Sequence, residues 1–238
     1  MTVKDKSPKK ITAKPFVKWA GGKGALVELL SAHLPVDFYD KKKVTYIEPF
    51  VGGGAMLFYM LTHFSNIHRV IINDLNEDLI LCYQLIKNNP QLLIEHLKKI
   101  ENEYFQLQTM DEKSIYYYHM RDKYNSIIPK VEERAACFIF LNKTCFNGLY
   151  RVNTNGKFNV PFGKNQKPNI CDEVLIMIDH KLLKKVDIYT GNYSIILKHL
   201  GKDYNYIYID PPYRPLSGTA YFKEYSHNVF GSPVKPCV

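Results

Sequence analysis

Residues 44–54 of the chain are VTYIEPFVGGG, and residues 55–63 are AMLFYMLTH. The first five residues are rich in β-branched and aromatic side chains and predict a strand over 44–48. The apolar stretch from Met56 to His63 predicts a helix. A strand, a glycine loop and a helix in this order form the first unit of a nucleotide-binding α/β sheet, because glycines let the backbone approach a ligand closely.

A second predicted strand covers residues 69–73 and ends at Asp74. Asp74 follows Gly52 by about 20 residues, the spacing at which an acidic side chain binds ribose hydroxyls. The glycines over 50–54 follow the pattern F-x-G-x-G, whereas a dinucleotide site has G-x-G-x-x-G. The spacing therefore favours a nucleoside ligand over a dinucleotide.

The composition indicates one α/β domain or a domain with an insertion, since the chain has 238 residues and 46% of them are hydrophobic. No apolar run reaches the roughly 18 residues that a membrane span needs, and we expect neither a membrane partner nor a secretory signal. The five cysteines lack the spacing of metal ligands. We therefore expect reduced thiols and no metal. We also expect an intracellular protein, either of the bacterial cytoplasm or encoded by a phage or virus.

The formal net charge of +9 and the pI of about 9.1 favour a polyanionic partner, most commonly nucleic acid. The alternative is a soluble basic protein without such a partner. Residues 1–14 contain several lysines and almost nothing to bury. We expect them to form a flexible basic tail that contacts phosphates weakly at most.

The segment from Phe16 to Gly24 has two adjacent glycines directly before Lys23. Open backbone N–H groups and a cation near the start of a helix predict a cradle for a carboxylate or a phosphate. A P-loop is excluded, because Gly24 stands where that motif has Ser or Thr.

A helix is predicted from Ala25 to about Leu34, directly after this segment. Its residues facing the core are expected to be Leu26, Leu29 and Leu30. For the only tryptophan, Trp19, core packing is favoured over ligand contact.

The segment from Leu75 to about Asn142 has a helical pattern throughout, and one apolar face contains Leu79, Tyr83 and Ile86. This block interrupts the alternation of strands and helices, which predicts a helical insertion in the α/β domain. The alternation resumes with a predicted helix over 172–183, a strand over 186–189 and a helix over 193–200.

Residues 143–170 contain lysines, an arginine, aromatic rings and asparagines, but no Asp or Glu. Asn155-Gly156 between two β-prone segments predicts a hairpin. Lys and Arg bind phosphates, Asn and Arg read base edges, and aromatic rings stack or wedge. The segment therefore favours nucleic-acid recognition over the alternative of an exposed basic loop.

The run from Tyr204 to Ile209 predicts a buried strand that leads into Asp210-Pro211-Pro212-Tyr213. Ligands of open α/β sheets bind where strands end. The prolines fix φ and lack N–H groups, so Asp210 and Pro211 form a stiff edge of acceptors beside a ring, which suits a planar group with an NH2. The alternative is a proline turn that Asp210 caps.

Six motifs in order make the chain, over about residues 14–230, resemble the DNA adenine-N6 methyltransferases of the GATC-methylating type. They are VKWAGGK at 17–23, EPFVGGG at 48–54, NDLN at 73–76, FNGLYRVN at 146–153, FNVPFG at 158–163 and DPPY at 210–213. The resemblance implies a Rossmann-like α/β sheet that binds S-adenosylmethionine, over 15–88 and 171–238. It also implies a helical and hairpin insertion over 89–170 that recognises double-stranded DNA.

The resemblance implies roles for individual residues as well. The catalytic residues would be Asp210, Pro211 and Tyr213, with the target adenine flipped out of the duplex and stacked on Tyr213. The cofactor would contact Trp19, Ala20, Lys23, Phe50, Gly52, Gly54, Asp74 and Asp210. The DNA would contact Asn147, Leu149, Tyr150, Arg151, Asn153 and Lys157, with Asn147 and Arg151 as the specificity contacts.

The last residues, GSPVKPCV at 231–238, depart from this family, whose members continue with further strands and helices. We expect several strands beside the catalytic one to be missing, which would expose an apolar edge and favour instability or a second chain that completes the sheet. Alternative functions are an inactive DNA-binding remnant, a protein glutamine-N5 methyltransferase and an RNA adenine methyltransferase. The basic hairpin disfavours the glutamine enzyme.

Overall fold

A computed structural model of the chain describes residues 12–128 and 130–212. Within these residues, four strands form one sheet: β1 (Val44–Glu48), β2 (Ile67–Asp74), β3 (Val186–Thr190) and β4 (Tyr204–Ile207). The α-helices are α1 (Val27–Ser31), α2 (Ala55–His63), α3 (Glu77–Asn88), α4 (Pro90–Gln106), α5 (Met110–Tyr124), α6 (Val131–Thr144) and α7 (Glu173–Leu183). Short 3-10 helices cover Val36–Phe38, Phe146–Gly148 and Tyr193–His199.

The sheet has the strand order β3-β2-β1-β4, and its pairings are parallel. Tyr46 in β1 pairs with Val70 in β2 on one side and with Tyr206 in β4 on the other. The chain runs from β1 to β2 and β3 in one direction and then returns to β4, so the direction reverses between β1 and β4. Ligands of open α/β sheets bind at the carboxyl ends of the strands at such a switch point. This topology confirms the Rossmann-like α/β class.

Strand β1 lies at the centre of the core, since all five of its residues are buried. On one face of the sheet, Tyr46 joins a large apolar cluster that extends into the helices. On the other face, Ile47 and Ile71 pack against Ile196 of the last 3-10 helix. The most buried strand is therefore the one that leads into the glycine loop.

The chain between β2 and the basic segment folds into helices α3 to α6, as its helical pattern predicted. The predicted apolar face of α3, Leu79, Tyr83 and Ile86, is fully buried. Both α3 and α4 pack against α6 and α7, and one apolar cluster runs through these helices and the sheet. The division of the chain at residues 88/89 and 170/171 stays a prediction.

The predicted core-facing residues of the first helix are wrong at Leu26 and Leu29 and right at Leu30, which packs against the core. Helix α1 spans only Val27–Ser31, and Leu26 and Leu29 are 45% and 59% exposed. Its inner face contains Val27, Leu30 and Ser31, and Leu34, three residues after the helix ends, is also buried. Turns occupy residues 24–26 and no side chain caps the helix start, so packing of the inner residues selects the register.

The strand before Asp210 forms, but the prediction that it is buried is wrong. Within the described residues β4 pairs only with β1, and Ile207 and Ile209 are 39% and 62% exposed. The N–H of Tyr208 donates to the carbonyl of Ile47 at 2.8 Å, so the pairing continues one residue beyond β4. An outer strand contacts one neighbour, which explains the exposure.

Within residues 12–128 and 130–212, no helix is both long and apolar enough to cross a membrane. The same residues include no group of His, Cys, Asp and Glu side chains that could hold a metal ion. Cys82, Cys137, Cys145 and Cys171 are free thiols. Most of the predicted basic tail, Tyr213, Cys237 and the sequence departure after residue 230 lie outside the described residues.

Candidate active site

The glycine loop between β1 and α2 leaves no room for side chains. Gly52 and Gly54 have φ values of 50° and 79°, which L-residues rarely adopt. A Cβ at Gly52 would lie 2.7 Å from Cδ1 of Trp19, and a Cβ at Gly54 would overlap the hydroxyl of Tyr83. That hydroxyl donates to the carbonyl of Gly52 at 3.0 Å. Glycines at these positions therefore let the buried loop backbone pack closely against Trp19 and Tyr83 at the carboxyl end of β1.

Asp74, at the end of β2, holds this loop in place. Its Oδ2 accepts the N–H of Gly52 at 2.9 Å, and its Oδ1 accepts the N–H of Asn76 at 2.9 Å. Burial raises the pKa of Asp74, while these backbone N–H groups oppose the rise. With the N–H of Leu75, these backbone groups occupy about three of the roughly four acceptor positions of the carboxylate, which leaves acceptor capacity for a ligand hydroxyl.

Asp210 and Lys23 form an ion pair that joins the two ends of the described chain. Nζ of Lys23 donates to Oδ1 and Oδ2 of Asp210 at 2.9 and 2.7 Å, and to the carbonyl of Gly21 at 2.9 Å. The two side chains are 19% and 26% exposed. The predicted cation near Gly21 and Gly22 thus lies beside the predicted catalytic carboxylate.

Glu48, the last residue of β1, is a buried acid that sequence analysis did not single out. It is 3% exposed, its Oε2 accepts the hydroxyl of Tyr46 at 2.8 Å, and its carboxyl accepts the N–H of Leu57 in the first turn of α2. Burial raises the pKa of Glu48 to about 8, and the nearby charges of Asp210 and Asp74 add to the rise. An acid at the end of an otherwise apolar strand is the signal that could have identified it.

Trp19 connects the glycine loop to the basic segment. Its ring lies against Gly52 and stacks on Tyr150 at 5.6 Å between centroids and 21° between planes. The ring is only partly buried. It packs against the core and also lies beside the glycine loop. Phe50 lies 5.5 Å from the ring of Tyr193, and Ala20 is exposed.

The predicted hairpin is confirmed in a minimal form. Val152 and Phe158 pair in antiparallel fashion, and Gly156 between them has φ 70°. The N–H of Asn153 donates to the carbonyl of Lys157 at 2.9 Å, and the side chain of Asn153 accepts the N–H of Lys157 at 3.0 Å. The local hydrogen bonds therefore fix the turn without a long ladder.

The predicted DNA-contacting residues fall into two groups. Asn147, Arg151, Asn153 and Lys157 are exposed, whereas Leu149 and Tyr150 are half-buried against the apolar cluster. Asn147 has the left-handed φ of 54°. Nε of Arg151 donates to Oδ1 of Asn159 at 2.7 Å, which orients an exposed guanidinium.

A family model described as D12 class N6 adenine-specific DNA methyltransferase matches residues 19–235. The chain belongs to this family. A type II methyltransferase of Methanocaldococcus jannaschii, M.MjaIII, is 45% identical over 215 residues, which are 90% of this chain and 73% of that protein.

Two further relatives of this D12 methyltransferase have similar coverage. The type II methyltransferase M1.LlaDCHI of Lactococcus lactis subsp. cremoris is 36% identical over 223 residues, 93% of this chain and 73% of the relative. A DNA adenine methylase of Haemophilus influenzae is 36% identical over 224 residues, 93% of this chain and 71% of the relative. The enzyme is therefore an adenine-specific DNA methyltransferase with a DNA substrate.

D12 methyltransferases use S-adenosylmethionine as methyl donor, and the residues of this chain fit that cofactor. A glycine loop beside Trp19 follows β1, Asp74 is the last residue of β2, and Asp210 follows β4. These groups lie at the carboxyl ends of neighbouring strands, where a nucleoside-like ligand binds in such sheets.

Besides Glu48, sequence analysis missed Asn142. This buried amide of α6 bonds to the backbone of both Lys18 and Gly148. A buried asparagine in an apolar helix was its sequence signal, but its partners are distant in the chain.

Proposed function

We propose that this chain methylates N6 of a flipped adenine in double-stranded DNA, within the sequence GATC. The observation that carries the residue assignment is the position of Asp210 beside Lys23, at the switch point between β1 and β4. The glycine loop and Asp74 lie at the ends of the next strands in the sheet.

The donor side of the site is proposed to contain Gly52, Gly54 and Asp74, with Phe50 and Trp19 as flat contacts. Asp74 would accept the ribose hydroxyls at the acceptor positions that the loop N–H groups leave. When bound, S-adenosylmethionine supplies a methyl group on a sulfonium, which is a strong electrophile. Ala20 and Lys23 would complete this side of the site.

The acceptor side is proposed to consist of the Asp210 carboxylate and the Pro211 carbonyl. They would accept the two hydrogens of the adenine amino group, whose lone pair is otherwise delocalised into the ring. The amino nitrogen would then be free to take the methyl group that the sulfonium supplies, the electrons of the sulfur–methyl bond would remain on sulfur, and one amino proton would pass to water. Lys23 fixes both oxygens of Asp210, which supports catalysis by positioning. Tyr213, outside the described residues, is proposed to stack on the flipped base.

The DNA side is proposed to consist of residues 146–151 and the hairpin that follows. Exposure of Asn147, Arg151, Asn153 and Lys157 supports phosphate and base contacts by these side chains. Tyr150 and Leu149 would contribute through the packing that holds this surface. The recognition insertion over 89–170, a second chain at the outer edge of β4 and a cytoplasmic location stay predictions.

The test is methyl transfer from labelled S-adenosylmethionine to a duplex oligonucleotide that contains GATC, with N6-methyladenine measured by mass spectrometry. Asp210→Asn should lower kcat by at least about a hundredfold, because the negative charge is lost and one carboxylate oxygen becomes an NH2 donor, and it should retain S-adenosylhomocysteine binding. Asp203→Asn, at the opposite end of β4, is the matched control and should retain activity.

Wild-type turnover by Asp210→Asn would contradict the assignment of the catalytic residue. Equal methylation of a duplex without GATC would contradict GATC as the recognition sequence, but it would not contradict methyl transfer to N6 of adenine. Preference for single-stranded RNA over the duplex would favour the RNA alternative instead.

A further inference from the structure

Asn142 makes three hydrogen bonds to backbone groups of two segments that are far apart in the sequence. Its Oδ1 accepts the N–H of Lys18 at 2.8 Å, and its Nδ2 donates to the carbonyl of Lys18 at 2.8 Å and of Gly148 at 3.1 Å. The residue is 3% exposed near the end of α6. Its amide pairs with Lys18 as a neighbouring strand would, and it ties Gly148 to the same point.

The two segments that Asn142 joins also contact each other directly. A Cβ at Gly148 would overlap the side chain of Lys18, so the backbone of Gly148 approaches Lys18 closely. One residue further on, Trp19 stacks on Tyr150. The segment over 17–19 and the segment over 146–150 therefore form one packed unit.

This unit has one surface at each of the two proposed ligand sites. Trp19 lies against the glycine loop on the donor side. Phe146 and Asn147 are exposed on the DNA side, and Asn147 holds the left-handed φ of 54°. Because the two segments are packed together, a ligand that restricts one of them would restrict the other as well, and the second ligand would then bind an arranged site.

We propose that Asn142 is a positioning residue that couples the binding of the methyl donor to the binding of DNA. The inference rests on the proposed function, because it assigns the donor to the Trp19 side and DNA to the Asn147 side. Asn142 contacts neither ligand and acts through the backbone of Lys18 and Gly148.

The test measures the affinity for S-adenosylhomocysteine by titration calorimetry, with and without unmethylated plasmid DNA. We expect DNA to raise the affinity of the wild type by about tenfold, within the usual range of coupling between sites. In Asn142→Ala the ratio of the two affinities should fall to about one. A residue that only stabilises the fold would lower the melting temperature and leave this ratio unchanged.

Asn205→Ala is the matched control, because Asn205 makes the same set of bonds at the opposite end of the sheet. It accepts the N–H of Gly201 at 3.3 Å and donates to the carbonyls of Gly201 and Asp203 at 3.0 and 2.8 Å. This variant should keep the full ratio of affinities. An equal loss in Asn205→Ala would overturn the proposal.

If folded Asn142→Ala keeps the same ratio of affinities as the wild type, the proposal is also overturned. If circular dichroism shows that Asn142→Ala does not fold, Tyr150→Leu breaks the stack on Trp19 within the same unit. Loss of the ratio in that variant supports the coupling, and retention overturns it. If DNA does not change the affinity of the wild type for S-adenosylhomocysteine, the coupling alone is overturned, because methyl transfer is measured separately. A wild type that binds neither ligand overturns the proposed function as well.

Discussion

Replacing Glu48 by Gln should make the stability of the protein less dependent on pH. Glu48 lies in the core with Tyr46 and the start of α2, and its pKa rises from the ordinary 4.5 to about 8. An acid with a higher pKa in the folded state holds its proton more tightly when folded. The free energy of unfolding therefore falls as pH rises through this range and levels off above about pH 8.

The size of the effect follows from the shift. One differently bound proton changes the free energy of unfolding by about 1.4 kcal/mol per pH unit, so the full shift corresponds to roughly 5 kcal/mol as an upper limit. Gln is a neutral isostere of the protonated acid, and Glu48→Gln should remove this part of the slope. The buried Asp179, whose pKa burial raises to about 8, should maintain a similar slope in both proteins.

The assay is urea unfolding followed by circular dichroism, at several pH values from about 5 to about 8. The difference between Glu48→Gln and the wild type should grow in favour of the variant as pH rises. Glu95→Gln, on the exposed face of α4, serves as the control and should follow the wild type. Parallel curves for the wild type and Glu48→Gln would refute the argument that Glu48 holds a proton in the core.

Two further predictions concern the glycine loop and an ion pair. Gly54→Ala should lower the free energy of unfolding by at least about 1 kcal/mol, because of its positive φ and the overlap with a tyrosine hydroxyl, whereas Gly24→Ala, with open space around it, should change it little. Thermal unfolding compares them, and equal losses would contradict the steric reason. Arg134→Met should lower the free energy of unfolding by about 2 kcal/mol, because it leaves the partly buried Asp78 without its two hydrogen bonds from the guanidinium. Arg69→Met, which removes an exposed ion pair, should lower it by less than about 1 kcal/mol. Denaturant unfolding measures both, and a larger loss in Arg69→Met would contradict the role of burial.

The sequence predicted those elements in which the local pattern and the packing agree. The strand over 44–48 alternates toward two apolar faces, and the structure has it at the same residues. Asp74 was singled out by its distance from the glycine loop and Asp210 by its position after a strand, and the structure has both at strand ends, while their ligand roles stay predictions. These assignments depend on spacing along the chain, which a single sequence contains.

Other features depend on contacts between distant segments, which spacing does not contain. Leucines at 26, 29 and 30 permit two registers in a short helix, and the packing of Val27 and Leu34 selects one of them. The ion pair of Lys23 with Asp210 and the three hydrogen bonds of Asn142 join residues that no local pattern connects. The burial of β4 was overestimated, because strand propensity does not distinguish an outer strand from an inner one.

The ion pair of Lys23 and Asp210 has a consequence for synthesis on the ribosome. The two residues are 187 positions apart, and β4 is the last strand of the described chain to emerge. Until then β1, although translated early, has one edge without a partner, and the nascent protein exposes strand groups that can pair with other chains. The carboxylate of Asp210, the proposed catalytic group, reaches Lys23 only after this late docking step. Under the proposed role of Asp210, an unfinished polypeptide has a glycine loop but no catalytic carboxylate, so the order of translation would keep partial products inactive.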